Sequence, residues 1–218
     1  MIIIHPFTFN PYQENTYIIS DETHECVIID PGCYSSKEQE LFSNYIDQNK
    51  LNVKKLLNTH GHIDHMLGNA FVKQRYEVPF ITHKLVVPEL EATQAYGALM
   101  GIHPDPSPNP DQFVDEGDTI TFGNTTLEVL FTPGHSAGHI SFFDRPGKNL
   151  FSGDVLFQGS IGRTDLPGGS FPVLMKSIFD KILPLGDDVK VYCGHGPSTT
   201  VRQERVSNMF ILNHAPEN

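Results

Sequence analysis

Four side chains able to hold a metal ion sit together in Thr59-His60-Gly61-His62-Ile63-Asp64-His65. Imidazole and carboxylate bind borderline divalent cations at neutral pH, and a turn can aim His60 and His62 at one ion while Asp64 and His65 face another. The bland alternative is a polar turn of unligated histidines. A chance His-x-His-x-Asp-His has a probability of about 0.002 over the chain, so the spacing itself is a signal.

Three more positions strengthen it. Thr132-Pro133-Gly134-His135, Ser152-Gly153-Asp154 and Cys193-Gly194-His195 each place a metal-binding side chain just past an expected strand, with glycine immediately before it. Ligands gather at the carboxyl ends of strands in layered α/β proteins, and glycine permits a sharp turn or a close approach. Each alone reads as an ordinary turn. Together with the cluster they predict a two-metal site made of His60, His62, Asp64, His65, His135, Asp154 and His195. Two ions about 3.5–4 Å apart lower the pKa of a shared water toward roughly 7, which provides hydroxide without a serine or cysteine nucleophile. Asp64 and Asp154 are the candidate catalytic carboxylates, placed to fix that hydroxide and handle its proton.

Such a site needs strands to carry it. Runs at 2–9, 15–20 and 25–30, the last closed by Asp30-Pro31-Gly32, predict a small antiparallel sheet. Leu41, Phe42, Tyr45 and Ile46 share one face of a helix predicted over 36–49 that should cover it. A strand at 53–58 leads into the cluster, followed by a helix over 69–76, a strand at 79–82 and a weaker helix over 84–100. Prolines 104, 106, 108 and 110 exclude helix and central strand, and predict a surface loop near the site mouth. Further strands are expected at 119–123, 125–132, 139–144, 149–152 and 189–193, with a helix over 171–184 capped by Ser170. Two strand-rich halves with helices outside predict an α/β fold, a four-layer αβ/βα sandwich, in a single domain over 1–218.

Composition narrows the partners. A formal net charge of -11 opposes the phosphate backbone, which points to a small-molecule substrate and away from nucleic acid. Three cysteines, Cys26, Cys33 and Cys193, form no closed set of bridges and no Cys-x-x-Cys pair, as expected in a reducing compartment. The start, Met1 to Phe7, lacks the features of a signal peptide, and no apolar run approaches the roughly 20 residues of a spanning helix. A soluble, cytoplasmic protein without membrane attachment is expected.

The ligand pattern, in this order, resembles the metallo-β-lactamase superfamily over nearly the whole chain, with Asp30 ending the first acidic motif. The resemblance implies that His60, His62 and His135 bind one metal, that Asp64, His65 and His195 bind the other, and that Asp154 bridges. Zinc is the first expectation, with iron or manganese as alternatives. Antibiotic-hydrolysing members with cysteine at the Asp154 position match less well. The stretch Gly153-Asp154-Val155-Leu156-Phe157, leading to Gly162-Arg163, is similar to glyoxalase II-like proteins. The tail beyond His195 is too short for the helical region that grips glutathione in full glyoxalase II enzymes, so the resemblance is closer to the short glyoxalase II-like hydrolases. It implies a dinuclear hydrolase of a thioester such as a hydroxyacylglutathione.

Other members supply alternatives. Persulfide dioxygenases resemble the chain through Gly162-Arg163-Thr164-Asp165, which implies one iron held by His60, His135 and Asp154. Diiron flavoproteins carry glutamate at the His62 position and match less well. Arg163 either holds a substrate carboxylate or ties its loop to Asp165. His139, four residues after His135, is expected to be outward-facing or hydrogen-bonded rather than a support behind the ligands, and Tyr192 and Cys193 to be packing residues. Leu85, Val86, Val87, Leu90, Tyr96 and Leu99 line either a substrate entrance or a core.

Overall fold

The computed structural model describes residues 1–99 and 101–214, with the side chains of 93–96 and 99 outside that description. Two six-stranded sheets face each other. The first has the order β1 (Ile3–Phe9), β2 (Glu14–Ser20), β3 (Glu25–Ile29), β4 (Asn52–Leu57), β5 (Phe80–Thr82) and β6 (Gln112–Phe113). Its first three strands are antiparallel, and β3 to β6 run parallel. In the second sheet β7 (Thr119–Phe122), β8 (Thr125–Phe131), β9 (Ile140–Asp144) and β10 (Asn149–Gly153) form an antiparallel meander. A parallel strand β13 (Lys190–Cys193) and an edge strand β14 (Thr199–Thr200) complete it. A small hairpin, β11 (Leu156–Phe157) with β12 (Ser160–Ile161), stands apart.

The period-2 geometry of a strand distributes apolar side chains to both faces of each sheet. Along β2, Tyr17 and Ile19 point between the sheets, where they meet Leu127, Val129, Phe142 and Phe151 of the second sheet, while Ile18 points outward. On that outer face Ile18, Ile28 and Leu56 pack beneath Phe42 and Ile46 of α1 (Ser36–Gln48) and Val72 of α2 (Asn69–Tyr76). The outer face of the second sheet is covered by α4 (Phe171–Ser177) through Leu174 and Met175. Four layers, helix on sheet on sheet on helix, result from three apolar seams, and burying each large side chain in them contributes about 1.5–3 kcal/mol.

The predicted strands and the helices over 36–49 and 69–76 are present to within a residue or two. Helix α1 begins with a capping box, in which the Ser35 hydroxyl accepts from Glu38 N and the Glu38 carboxylate accepts from Ser35 N. Leu41, expected on the covered face, is exposed instead. The stretch predicted as a helix over 84–100 starts with a 3-10 turn, Lys84–Val86, before α3 (Val87–Leu99). The helix predicted over 171–184 is α-helical only to Ser177, then widens into a π-helical segment, Ile178–Ile182, and tightens into a 3-10 turn, Leu183–Leu185. Ser170 occupies its N-cap position without a side-chain cap bond. Its backbone N–H donates to the Gly134 carbonyl at 2.7 Å, so this serine anchors the loop that carries His135. Sequence reading missed β6, the β11–β12 hairpin and the terminal helices α5 (Val201–Ser207) and α6 (Met209–His214). Among the described residues no helix is long and apolar enough to cross a membrane.

Candidate metal centre

Every strand that ends at the site hands over to a short loop. Chain leaving β4 forms the His60–His62 segment and a 3-10 turn at Ile63–His65; β8 leads to His135, β10 to Asp154 and β13 to His195. Hydrogen bonds lock the two sheets together at this edge: Asn15 N donates to Gly194 O at 2.7 Å and Ile140 N to Thr59 O at 2.8 Å. The glycines before the loop ligands meet the demands expected of them. Gly134 and Gly153 have φ of 128° and 50°, and a Cβ on Gly194 would lie 2.1 Å from Asp154 Oδ1.

All seven predicted side chains converge. The metal-binding atoms of His60, His62 and His135 lie within 4.8 Å of one another, as do those of Asp64, His65 and His195. His62 Nδ1 is 2.8 Å from His135 Nε2, and His65 Nε2 is 3.3 Å from His195 Nε2. Asp154 stands between the two groups. Its Oδ2 lies 3.5 Å from both His135 Nε2 and His195 Nε2, and its Oδ1 lies 3.4 Å from His65 Nε2. Asp30, His60 and His65 also meet the spacing for a metal. Asp30 is committed elsewhere, however: its Oδ1 accepts from Thr59 N at 2.7 Å, and its Oδ2 accepts from the Thr59 hydroxyl at 2.6 Å and faces His65 Nδ1 at 3.1 Å.

Four of the five imidazoles are held from behind, which fixes the nitrogen turned inward. His60 Nδ1 meets the Thr59 hydroxyl at 3.0 Å, and His65 Nδ1 meets Asp30. His135 Nδ1 donates to the Arg163 carbonyl at 2.8 Å, and His195 Nδ1 to the Tyr12 carbonyl at 3.2 Å. In consequence the Nε2 atoms face one another across the centre. Two inward atoms, His60 Nε2 and Asp154 Oδ1, are buried and make no hydrogen bond. Leaving a buried polar atom unsatisfied costs about 1–3 kcal/mol, and a cation at either group would satisfy them. The residues present therefore fit divalent metal.

The electrostatics divide the site. Burial depresses His60 well below the usual histidine value, with the neighbouring imidazoles adding to it, and burial lowers His62 to about 4. Burial opposes the protons of His65 and His195 too, but the carboxylates outweigh it: Asp154 and Asp64 hold His65 well above its ordinary value and His195 at about 9. Asp154 remains well below the usual carboxylate range despite burial, because His65, His195 and His135 surround it.

The residues weighed beside the seven take up supporting places. His139 is buried; its Nε2 accepts from Asp154 N at 3.1 Å and its Nδ1 meets the Thr132 hydroxyl at 3.0 Å, so it holds the backbone of Asp154. Burial keeps it neutral. Arg163 lines the cavity, but its guanidinium is paired with Asp165 through two 2.7 Å hydrogen bonds, and its contribution to the centre is the carbonyl behind His135. Cys193 is a buried thiol pushed up to about 12 by burial, in keeping with a packing role.

The centre opens into a cavity of about 800 Å³ whose walls are largely apolar: Leu85, Pro88 and Ala92 on one side, Phe157, Ile161 and Leu166 among those on the other. Of the candidate entrance residues, Leu85 lines this cavity, Val86 is buried and Leu90 packs beside α1 and α2. The side chains of Tyr96 and Leu99 lie outside the described residues. The proline-rich segment is a loop, as predicted, but does not line the cavity; it packs elsewhere, with Ser107 accepting from Asn69 and His103 N donating to the Tyr34 hydroxyl.

A sequence profile of the metallo-beta-lactamase superfamily matches residues 9–195. The chain belongs to that superfamily. Within it, the chain is similar to hydroxyacylglutathione hydrolase GloC from Haemophilus influenzae, 38% identical over 211 residues covering 92% of this chain and 93% of the relative. Among solved structures, BLEG-1 B3 metallo-beta-lactamase superimposes with a TM-score of 0.86 at 35% identity, covering 96% of this chain and 99% of that one. The di-iron-bound form of TTHA1623 gives a TM-score of 0.84 at 35% identity, covering 94% and 99%. Superfamily membership makes metal-dependent hydrolysis of a small molecule the coarse reading of the site.

Proposed function

We propose that this protein is a dinuclear metal-dependent thioester hydrolase of the glyoxalase II-like type, formed by one domain over 1–218, with a hydroxyacylglutathione as the first substrate to test. The observation that carries the reading is the completeness of the second half-site. Asp64, His65 and His195 are assembled as closely as His60, His62 and His135, and His65 and His195 are backed from behind as His60 and His135 are. A single-metal enzyme needs no such second set. The GloC relative supports the substrate class through its name, and the di-iron form of TTHA1623 supports two metals.

His60, His62 and His135 would hold one ion, Asp64, His65 and His195 the other, and Asp154 both. When bound, such ions supply a water whose pKa falls to roughly 7 and Lewis acidity toward a carbonyl oxygen. The donors, nitrogen and oxygen without thiolate, suit zinc, with iron or manganese also compatible. Asp64 or Asp154, both facing the cavity, would orient the attacking water and handle its proton. A thiolate leaves without strong acid assistance, and no further acid is required. The apolar walls exclude competing water and receive the carbon framework of the ester. Three buried, unbridged cysteines support a reducing, cytoplasmic setting.

The test is metal content beside turnover in His65→Ala. Two metals per wild-type chain, falling toward one with a steep loss of thioester hydrolysis, support the reading. Unchanged hydrolysis with one metal contradicts it.

A further inference from the structure

The histidines of the first half-site come from different sheets. His60 and His62 follow β4 of one and His135 follows β8 of the other; the Ile140 N to Thr59 O bond joins the sheets at the base of the two loops, before His60 and after His135, and does not reach Gly61 or Ser136. A third element reaches both. Glu89, in the first turn of α3, accepts from Gly61 N through Oε2 at 2.8 Å and from the Ser136 hydroxyl through Oε1 at 2.6 Å. Gly61 lies between the two histidines of the first loop, and Ser136 follows the histidine of the second.

The fit around this carboxylate leaves little slack. A Cβ on Gly61 would stand 2.6 Å from Glu89 Cβ and 3.0 Å from Val86 Cγ1, and a Cβ on Gly138 would stand 2.7 Å from Val86 N. The entry to α3 is thus wedged against both loops, and only glycine permits the approach. A charged acceptor here makes two charge-assisted hydrogen bonds, roughly twice as strong as neutral ones.

We propose that Glu89 is a positioning residue: its carboxylate clamps the His60–His62 turn to the His135 loop and so sets the affinity of that half-site for metal. The inference rests on the reading of these three histidines as metal ligands. It assigns the start of α3 a second role, because this helix supplies Pro88 and Ala92, and the 3-10 turn before it Leu85, to the wall of the cavity.

The experiment is competition of the full-length protein with a chelator for zinc, together with the melting temperature of each metal-free protein. Glu89→Ala loses both bonds, and the half-site of His60, His62 and His135 should bind zinc about 10–100-fold less tightly than in the wild type, the range for removing an outer partner of a ligand. Glu89→Gln restores a clamp, since its amide oxygen accepts from Gly61 and its NH₂ donates to a rotated Ser136 hydroxyl; affinity should return to within about fivefold of wild type. A general packing defect would instead lower the metal-free melting temperature and leave zinc affinity in place. Wild-type zinc affinity in Glu89→Ala, or equal losses in the alanine and glutamine variants, overturns the inference. If Glu89→Ala does not fold, Ser136→Ala removes one arm of the clamp and should weaken zinc about tenfold; wild-type affinity there overturns it equally. Failure of the wild-type protein to bind zinc would instead remove the metal reading itself, a result distinct from failure of the clamp.

Discussion

Replacing Asp30 by asparagine changes one atom and should disturb both half-sites. Asp30 is buried and sits at φ 49°, a left-handed conformation that asparagine tolerates, so the backbone is not the target. The asparagine oxygen can still accept from Thr59 N. Its NH₂, however, replaces the Oδ2 that faces the Thr59 hydroxyl and His65 Nδ1 at 2.6 and 3.1 Å. His65 must then accept at Nδ1 and carry its proton on Nε2, the atom turned toward the centre. The Thr59 hydroxyl accepts from that NH₂ and its displaced proton turns toward His60 Nδ1 at 3.0 Å, so His60 too must carry its proton on the inward Nε2. Each half-site loses the orientation of one ligand, at about 10–100-fold in zinc affinity. Two hydrogen bonds to a charged acceptor, about 1.5–3 kcal/mol each, are also weakened. Against a total stability of about 5–15 kcal/mol the protein stays folded but melts several degrees lower. Chelator competition and calorimetry of the metal-free protein measure both effects. Wild-type zinc affinity in Asp30→Asn would refute the idea that the backing carboxylate selects the inward nitrogen.

Further outcomes follow from the same geometry. Because carboxylates hold His195 at about 9 and His65 well above its ordinary value, both are protonated near pH 7 and zinc must displace those protons, whereas His62 at about 4 is already neutral. The second half-site should therefore empty first as pH falls from about 8 to 6, with proton uptake visible by calorimetry in buffers of different ionisation enthalpy; simultaneous loss of both metals contradicts this. Asp154→Ala removes the residue common to both half-sites and should lower turnover by more than the about 100-fold that loss of an outer partner costs, while circular dichroism of the metal-free protein is retained. Arg163→Ala keeps the carbonyl behind His135 and loses only an exposed ion pair, so metal content should hold and stability change by under about 1 kcal/mol. A raised KM with unchanged kcat in that variant would show that the guanidinium leaves Asp165 for a substrate carboxylate.

The seven candidate ligands were legible as a cluster because chemistry concentrates them: four in one turn, and three more each behind a glycine at a strand end. Strand alternation and the α1 pattern carried most of the layers. What stayed hidden depends on tertiary contact. β6 is two residues long and exists only as a partner for β5, and the β11–β12 hairpin is equally short. The break of the 171–184 stretch into π-helical and 3-10 segments leaves no pattern that periodicity detects. Ser170 has the residue type of a cap yet spends its backbone on Gly134. Glu89 lies 28 residues from Gly61 and 47 from Ser136, and no local motif announces the clamp. The proline run was read correctly as a loop, but composition does not say against which surface a loop rests.

Two metals on this chain are proposed to serve hydrolysis rather than oxygen chemistry. Thioester turnover under anaerobic conditions on protein of determined metal content, with an oxygen electrode trace on the same preparation given a persulfide, separates the two chemistries. Two metals per chain, full anaerobic thioester cleavage and no oxygen uptake are expected. One iron per chain, with oxygen consumed in step with persulfide and no anaerobic thioester cleavage, would overturn the hydrolytic reading.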